Sequence, residues 1–109
     1  MEKTTAVLGL AALAQETRLD IFRLLVEAGP QGRAPGEIAV WLGLPAATLS
    51  FHLKELRRAG LVTRRRRGRS LIYSADFEAM SGLVAYLTEN CCGGACSPLS
   101  ECRDLEGSR

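Results

Sequence analysis

Residues 48–75 constrain the fold of this chain more than any other stretch. They read TLSFHLKELRRAGLV and then TRRRRGRSLIYSA. The first part spaces its apolar residues as one face of a helix does, and Gly60 supplies a stop signal. The second part holds two strand-like runs with Gly68 between them, which is typical of a hairpin. The sequence therefore predicts an amphipathic helix followed by a two-stranded ribbon with a positively charged tip.

Positive charge is concentrated in the same stretch. Residues 46–75 carry eight Lys/Arg and one Glu, a local net charge of +7, whereas the whole 109-residue chain has a formal net charge of +2. The segment before them sums to −1 and the segment after them to −4. A basic patch of this kind is the electrostatic signature of nucleic-acid binding.

The length of 109 residues suits one domain, and 24% charged residues is ordinary for a globular protein. No apolar run reaches the length of a membrane span, and the N-terminus lacks the pattern of a secretory signal. We therefore expect a cytoplasmic protein without a membrane partner. In that compartment, four cysteines are more consistent with metal binding or redox chemistry than with structural disulfides.

The expected fold is mainly α with a small β-ribbon, a winged helix-turn-helix of about five helices and a two-stranded antiparallel wing. Residues 1–89 would form the DNA-binding and dimerisation domain, and residues 90–109 a cysteine-containing tail. We expect a first helix over 4–14 and a second that is capped by Thr17, with Asp20 completing a capping-box-like pattern. A third helix should run from Pro35 to Gly43 and a fourth over 46–59. Strands should follow over 61–66 and 69–74, and then a last helix that is capped by Ser74 or Asp76 and reaches Glu89.

The fourth helix would be the DNA-reading helix of the pair. Leu49, Leu53 and Leu56 follow helical spacing and should face the core. The predicted DNA contacts on this helix are Thr48, Ser50, His52, Lys54, Arg57 and Arg58. Those on the ribbon come from the run Arg64 to Arg67 with Arg69, chiefly Arg65, Arg66, Arg67 and Arg69.

The arginine run and His52 each have an alternative explanation that involves no DNA contact. An arginine run is often only a solvated surface, but its place beside a helix-turn-helix pattern favours DNA contact. His52 is weaker evidence, since a histidine can equally pack between helices.

The line SFHLKELRRAGLV, followed by RRRRGRSLIY, resembles the ArsR/SmtB family of bacterial winged-helix repressors. The upstream segment LAALAQETRLDIFRLLVEAG is similar to that family's early helices, so the resemblance covers residues 7–89. It implies a homodimer joined through the first and last helices. Such a dimer binds an imperfect inverted repeat in operator DNA without a cofactor and releases it when an inducer binds.

Apolar stripes on the first and last helices also favour a homodimer, because they exceed what one small core needs. The alternative is that both stripes simply close the monomer.

All four cysteines, Cys91, Cys92, Cys96 and Cys102, lie within twelve residues near the C-terminus. Soft thiolates select soft metals over Mg²⁺ or Ca²⁺, and the Gly93-Gly94 pair allows the chain to turn back. A four-thiolate zinc or cadmium site and a thiol redox switch are both open alternatives. A tail whose cysteines do nothing is the remaining one.

The run NCCGGAC resembles the arsenic-responsive family members with a C-terminal vicinal cysteine pair. The stretch APGEIAVWLGL, where many arsenic sensors carry cysteines, has none. The resemblance implies a metalloid-responsive repressor of arsenic-resistance genes, with As(III) or Sb(III) as the inducer. Cys91 and Cys92 would bind it, with Cys96 or Cys102 as the third ligand.

An enzyme is the competing class. Arsenate reductases also use cysteines, but they need a nucleophile in an anion-binding loop, and nothing here supplies one. An interaction protein that docks through its winged helix is a further competitor, against which the arginine-rich ribbon argues.

Overall fold

The computed structural model describes residues 1–94. Five α-helices and one antiparallel hairpin form a winged helix-turn-helix, which confirms the predicted fold class. The elements are α1 (Lys3–Leu13), α2 (Glu16–Ala28), α3 (Pro35–Leu42), α4 (Ala46–Arg58), β1 (Val62–Arg67), β2 (Ser70–Ala75) and α5 (Phe77–Leu87), followed by a short 3-10 turn over Cys91–Gly94.

The start of α2 differs from the prediction. Gln15, not Thr17, is the capping residue: its backbone is extended, and its Oε1 accepts a 2.8 Å hydrogen bond from the Arg18 backbone N–H. Thr17 already lies in the first helical turn. Threonine is a preferred cap residue, but the turn between α1 and α2 falls at Ala14 and Gln15. The cap position is therefore Gln15.

The other boundaries fall within two residues of their predicted places. Helix α4 ends in a turn in which Gly60 has a φ of +80° and the Leu61 N–H donates to the Leu56 carbonyl at 3.1 Å. Of the two candidate caps for α5, Asp76 is the one used, since its Oδ1 accepts from the Ala79 N–H at 2.9 Å. Helix α5 ends at Leu87 rather than at residue 89.

The core lies where α2, α3 and α4 meet under the hairpin. Its most deeply buried large side chains are Ile21, Leu25, Ile38, Leu49, Leu53 and Leu56, each less than about 2% exposed. Helix α4 thus packs one face into the centre of the molecule. Burial of this kind fixes the orientation of its opposite face towards solvent.

The hairpin of β1 and β2, here called the wing, is fastened to the body at its base. The segment between α2 and α3 pairs with β2 through two 2.9 Å hydrogen bonds that join the backbones of Arg33 and Tyr73. Gly32 adopts a φ of +71° just before this bridge. A Cβ at that position would overlap the Tyr73 carbonyl oxygen and the Ser74 Oγ, so the close approach requires glycine.

Within residues 1–94 we find no helix with the length and apolarity needed to cross a membrane.

Candidate nucleic-acid interface and cysteine pair

Helix α4 turns one face to the core and the other to solvent. Leu49, Leu53 and Leu56 are at most 2% exposed, which confirms the prediction that they face inward. Of the predicted DNA-contacting residues on this helix, four are exposed, namely Thr48, Ser50, Lys54 and Arg58. Arg57 is partly buried. Hydroxyl groups near the N-terminal end and cations near the C-terminal end suit base and phosphate contacts respectively.

His52 is the exception among these predicted contacts. Its side chain is only 9% exposed, and its Nδ1 is buried without a hydrogen-bond partner in the described part of the chain. Burial, with a smaller contribution from the charge of Arg18, lowers the pKa of His52, so the ring is neutral at pH 7. Of the two roles left open for His52, direct DNA contact needs an exposed ring, which this burial does not provide. The alternative, a histidine that packs between helices, fits the structure.

Phe51 is an exposed residue that sequence reasoning did not assign to the interface. Its side chain is 57% exposed, although it is the largest apolar residue of α4. Its ring meets the ring of the buried His52 edge-on, with 5.4 Å between centroids. Helical phase was the available signal, because position 51 lies off the stripe that Leu49, Leu53 and Leu56 define.

The wing arginines divide between two faces of the hairpin. In the antiparallel register Arg64 lies opposite Tyr73, and Arg65 lies opposite Ile72. Successive side chains of a strand alternate, and cross-strand partners share a face. Arg64 therefore projects on the side that borders α4, while Arg65 projects on the other side.

Arg65 was predicted as a DNA contact, but its guanidinium is held by the body of the protein. Its Nη2 donates to the Gln31 carbonyl at 2.9 Å, and its Nη1 donates to the Ser74 Oγ at 3.1 Å and to the Pro30 carbonyl at 3.3 Å. The partners lie up to 35 residues away in the chain. Arg65 thus braces the wing against the α2–α3 loop instead of presenting its charge at the tip.

The remaining tip arginines are presented to solvent. Arg66, Arg67 and Arg69 are exposed, and Gly68, with a φ of +63°, forms the turn between the strands as predicted. No carboxylate in residues 1–94 forms a salt bridge with any of the three. Their charge is available to a polyanion.

A cleft separates the C-terminal half of α4 from the base of the wing. We call it the basic cleft; it is lined by Lys54, Arg57, Arg58, Val62, Thr63 and Arg64. Its lining carries four cationic side chains and no carboxylate. Among these four cations, only Arg58 forms a salt bridge within residues 1–94, to Glu55 at 3.4 Å on the exposed surface, where an ion pair is worth little. The basic cleft suits a phosphate backbone that passes between helix and wing.

The cysteine pair lies just beyond α5. The Sγ atoms of Cys91 and Cys92 are 3.5 Å apart, and the Cys91 N–H donates to the Thr88 carbonyl at 2.9 Å. Cys92 has a φ of +55°, a conformation that few non-glycine residues adopt. The side-chain hydrogen bond with Cys91, followed by desolvation and the neighbouring thiol charge, raises the pKa of Cys92.

Two thiolates on one ion at about 2.3 Å in a tetrahedral arrangement lie roughly 3.8 Å apart, so the observed spacing is close to what a shared soft ion requires. Residues 1–94 contain no group of three potential metal ligands. Cys96 and Cys102, the predicted candidates for a third sulfur, lie outside the described residues.

A helix pair, α3 and α4, followed by a basic two-stranded wing defines the class: the chain is a winged helix-turn-helix DNA-binding protein. A family model described as a helix-turn-helix domain matches residues 13–65. The chain is 34% identical over 89 residues to the transcriptional activator HlyU of Vibrio cholerae, which covers 80% of each sequence. It is 38% identical over 76 residues to the "Putative arsenical resistance operon repressor ArsR" of Halobacterium salinarum, covering 70% of this chain and 58% of that protein.

Among solved structures, the homodimeric winged helix-turn-helix DNA-binding domain Mb0332 of Mycobacterium bovis superposes with a TM-score of 0.63 at 30% identity, over 80% of this chain and 81% of that one. The chain belongs to the ArsR/SmtB family of winged-helix transcriptional regulators. Its relatives are transcriptional regulators, which confirms that the chain is not an enzyme.

Proposed function

We propose that this regulator is a homodimeric repressor of arsenic-resistance genes that releases its operator when As(III) or Sb(III) binds the C-terminal cysteines. The observation that carries the proposal is the 3.5 Å approach of the Cys91 and Cys92 Sγ atoms at the end of α5. The similarity to a protein named as an arsenical resistance operon repressor supports the same inducer class.

Operator contact would use the exposed face of α4 together with the wing. The N-terminal half of α4, with Thr48 and Ser50, enters the major groove in this proposal, while the basic cleft and the tip arginines follow phosphates. His52 and Arg65 take no part, because one is buried and the other is bound to the α2–α3 loop.

The proposed dimer joins α1 and α5 of two copies. These two helices contact each other and leave large apolar side chains exposed, namely Val7, Leu8, Leu10, Val84 and Leu87. Large apolar side chains left exposed on two contacting helices are characteristic of a subunit interface, and two-fold symmetry suits two operator half-sites. Light scattering at micromolar concentration should give the mass of a dimer; a monomer alone would overturn this part of the proposal.

Release follows from the attachment of the cysteine pair to α5. Because the Cys91 N–H donates to the carbonyl of Thr88, the residue that caps the C-terminus of α5, an ion held by the thiolates pulls on the end of a helix of the proposed interface. A change there alters the spacing of the two α4 helices. A coupling of about 1–3 kcal/mol would weaken operator binding by roughly 5- to 150-fold.

A gel shift on the chain's own upstream region, titrated with arsenite, tests the proposal. The double variant Cys91→Ser/Cys92→Ser should bind the operator as the wild type does and should no longer release it. Of the single variants Cys96→Ser and Cys102→Ser, the one that loses release identifies the third sulfur, and the one that keeps it is the control. If the double variant still releases DNA at the same arsenite concentration, the inducer site lies elsewhere.

The same titration has an expected pH dependence. The raised pKa of Cys92 means that this thiol is protonated at neutral pH. When As(OH)3 binds protonated thiols, each hydroxide leaves as water with a thiol proton, so the arsenite concentration needed for half-release should change little between about pH 6 and pH 8. A divalent cation displaces the thiol protons into solution, so the Zn²⁺ or Cd²⁺ concentration needed for half-release should increase as the pH falls.

A soft divalent metal is the second candidate inducer, since the spacing of the two sulfurs is also close to that of a zinc or cadmium thiolate site. Parallel titrations with Zn²⁺ and Cd²⁺ separate this candidate from the metalloids. A thiol redox switch is the third candidate, and the same gel shift with an oxidant in place of arsenite tests it.

A further inference from the structure

Phe51 occupies the middle of the exposed face of α4. Ala47 lies one turn before it and Lys54 one turn after it, and all three side chains are exposed. Residues spaced three and four apart share one side of a helix. The aromatic ring is therefore continuous with the polar and cationic residues that we assign to DNA.

Phe51 is exposed, whereas the leucines of α4 are buried. Leu49, Leu53 and Leu56 are buried almost completely, while the larger phenylalanine remains 57% exposed. Its ring is braced edge-on by the buried His52 ring at 5.4 Å. An aromatic ring on a reading helix offers a large apolar contact surface, and ordering its two χ angles costs little conformational freedom.

Only one group in the major groove offers a matching apolar surface. Each base pair presents hydrogen-bond donors and acceptors there, but thymine alone adds a methyl group, at C5. Apolar side chains on a reading helix recognise that group. Ala47, on the same face, adds a second small apolar surface beside the ring.

We propose that Phe51 is a specificity-determining residue that contacts thymine 5-methyl groups of the operator. It confers a preference for thymine at the base pairs under the N-terminal half of α4. The inference depends on the DNA binding of the family and not on the identity of the inducer, so its test contains no metalloid.

The test compares two duplexes of the chain's own upstream region, one containing thymine and one in which every thymine is replaced by deoxyuridine, which lacks the 5-methyl group. Wild-type protein should bind the deoxyuridine duplex more weakly, by about fourfold for each contacted methyl group. Phe51→Ala should lose affinity for the thymine duplex and should bind the two duplexes equally well.

Val40→Ala is the matched control, because Val40 is a 79% exposed apolar residue on α3 and lies outside the proposed contact. It should discriminate between the duplexes as the wild type does. The dependence of binding on salt should be unchanged in Phe51→Ala, since a phenyl ring neutralises no phosphate.

Three results would overturn the proposal. The first is equal binding of both duplexes by the wild type, and the second is full wild-type discrimination by Phe51→Ala. The third is that Phe51→Ala shifts the mass measured by light scattering while DNA affinity stays at the wild-type value, which would assign the ring to a contact between protein subunits.

Discussion

The DNA-reading region, α4 and the wing together, contains two pairs of neighbouring side chains with opposite roles. In each pair one side chain contacts the body of the protein and the other is presented to solvent. Phe51 and His52 are neighbours in the chain, yet the apolar ring is exposed and the polar ring is buried. Arg65 and Arg67 lie two residues apart on the same face of β1 and both are exposed, yet the guanidinium of Arg65 is hydrogen-bonded to the body and that of Arg67 has no such contact within residues 1–94.

Position relative to the body, rather than residue type, separates the two groups. On α4 the helical phase decides, because a residue on the stripe of Leu49 and Leu53 is carried inward whatever its polarity. On the wing the distance from the base decides, because the α2–α3 loop reaches Arg65 but not the tip. A reading surface therefore needs an inner set of contacts that holds the outer set in place.

The strongest way to break this comparison is to remove the contact that seats the wing. In Gly32→Ala the new methyl group would overlap the Tyr73 carbonyl oxygen and the Ser74 Oγ, at a φ of +71° that alanine disfavours. Left-handed strain and forced backbone movement together should cost about 3 kcal/mol in the free energy of unfolding. Urea unfolding measures this loss, and operator affinity should fall with it because the wing is displaced.

Gly36→Ala is the control for that substitution. Gly36 is exposed in the first turn of α3, and a Cβ there would meet no atom within 4 Å. Alanine is the better helix former, so this variant should be unchanged or more stable by up to about 1 kcal/mol. Equal stability of Gly32→Ala and the wild type would mean that the Arg33–Tyr73 bridge does not seat the wing.

Local patterns in the sequence were sufficient for the fold. Apolar periodicity located the five helices, and the Gly68 turn located the hairpin to within one residue of its strands. The same periodicity could have placed His52, since position 52 lies three residues after Leu49 and four before Leu56. The polarity of histidine left DNA contact and helix packing equally open, although its helical phase alone favours packing.

The role of Arg65 was not accessible from local patterns. Its hydrogen-bond partners, Pro30 and Gln31, are 35 and 34 residues away, and nothing in an arginine run distinguishes its second member. Register could show which face it occupies but not that a loop lies against that face. The cap at Gln15 was missed for a related reason, because glutamine is not among the residues that favour cap positions.

Arg65 and Arg67 allow the comparison to be sharpened with two substitutions of the same chemistry. Arg65→Gln removes hydrogen bonds to two carbonyls and a hydroxyl, so it should lower the free energy of unfolding by about 1–2 kcal/mol. Because Arg65 contacts no phosphate in our account, the slope of log K against log salt for operator binding should stay at the wild-type value.

Arg67→Gln should change the salt slope of operator binding and leave the free energy of unfolding unchanged, which is the reverse of Arg65→Gln. Its side chain is exposed at the tip, so the free energy of unfolding should be unchanged. The salt slope should become shallower by about 0.9 for each phosphate contact removed, and by twice that value if both copies in a dimer contribute. Urea unfolding combined with fluorescence titration of labelled operator at several salt concentrations gives both quantities. A shallower salt slope for Arg65→Gln, or a destabilised fold for Arg67→Gln, would show that the wing arginines are not divided into one that braces the fold and one that contacts DNA.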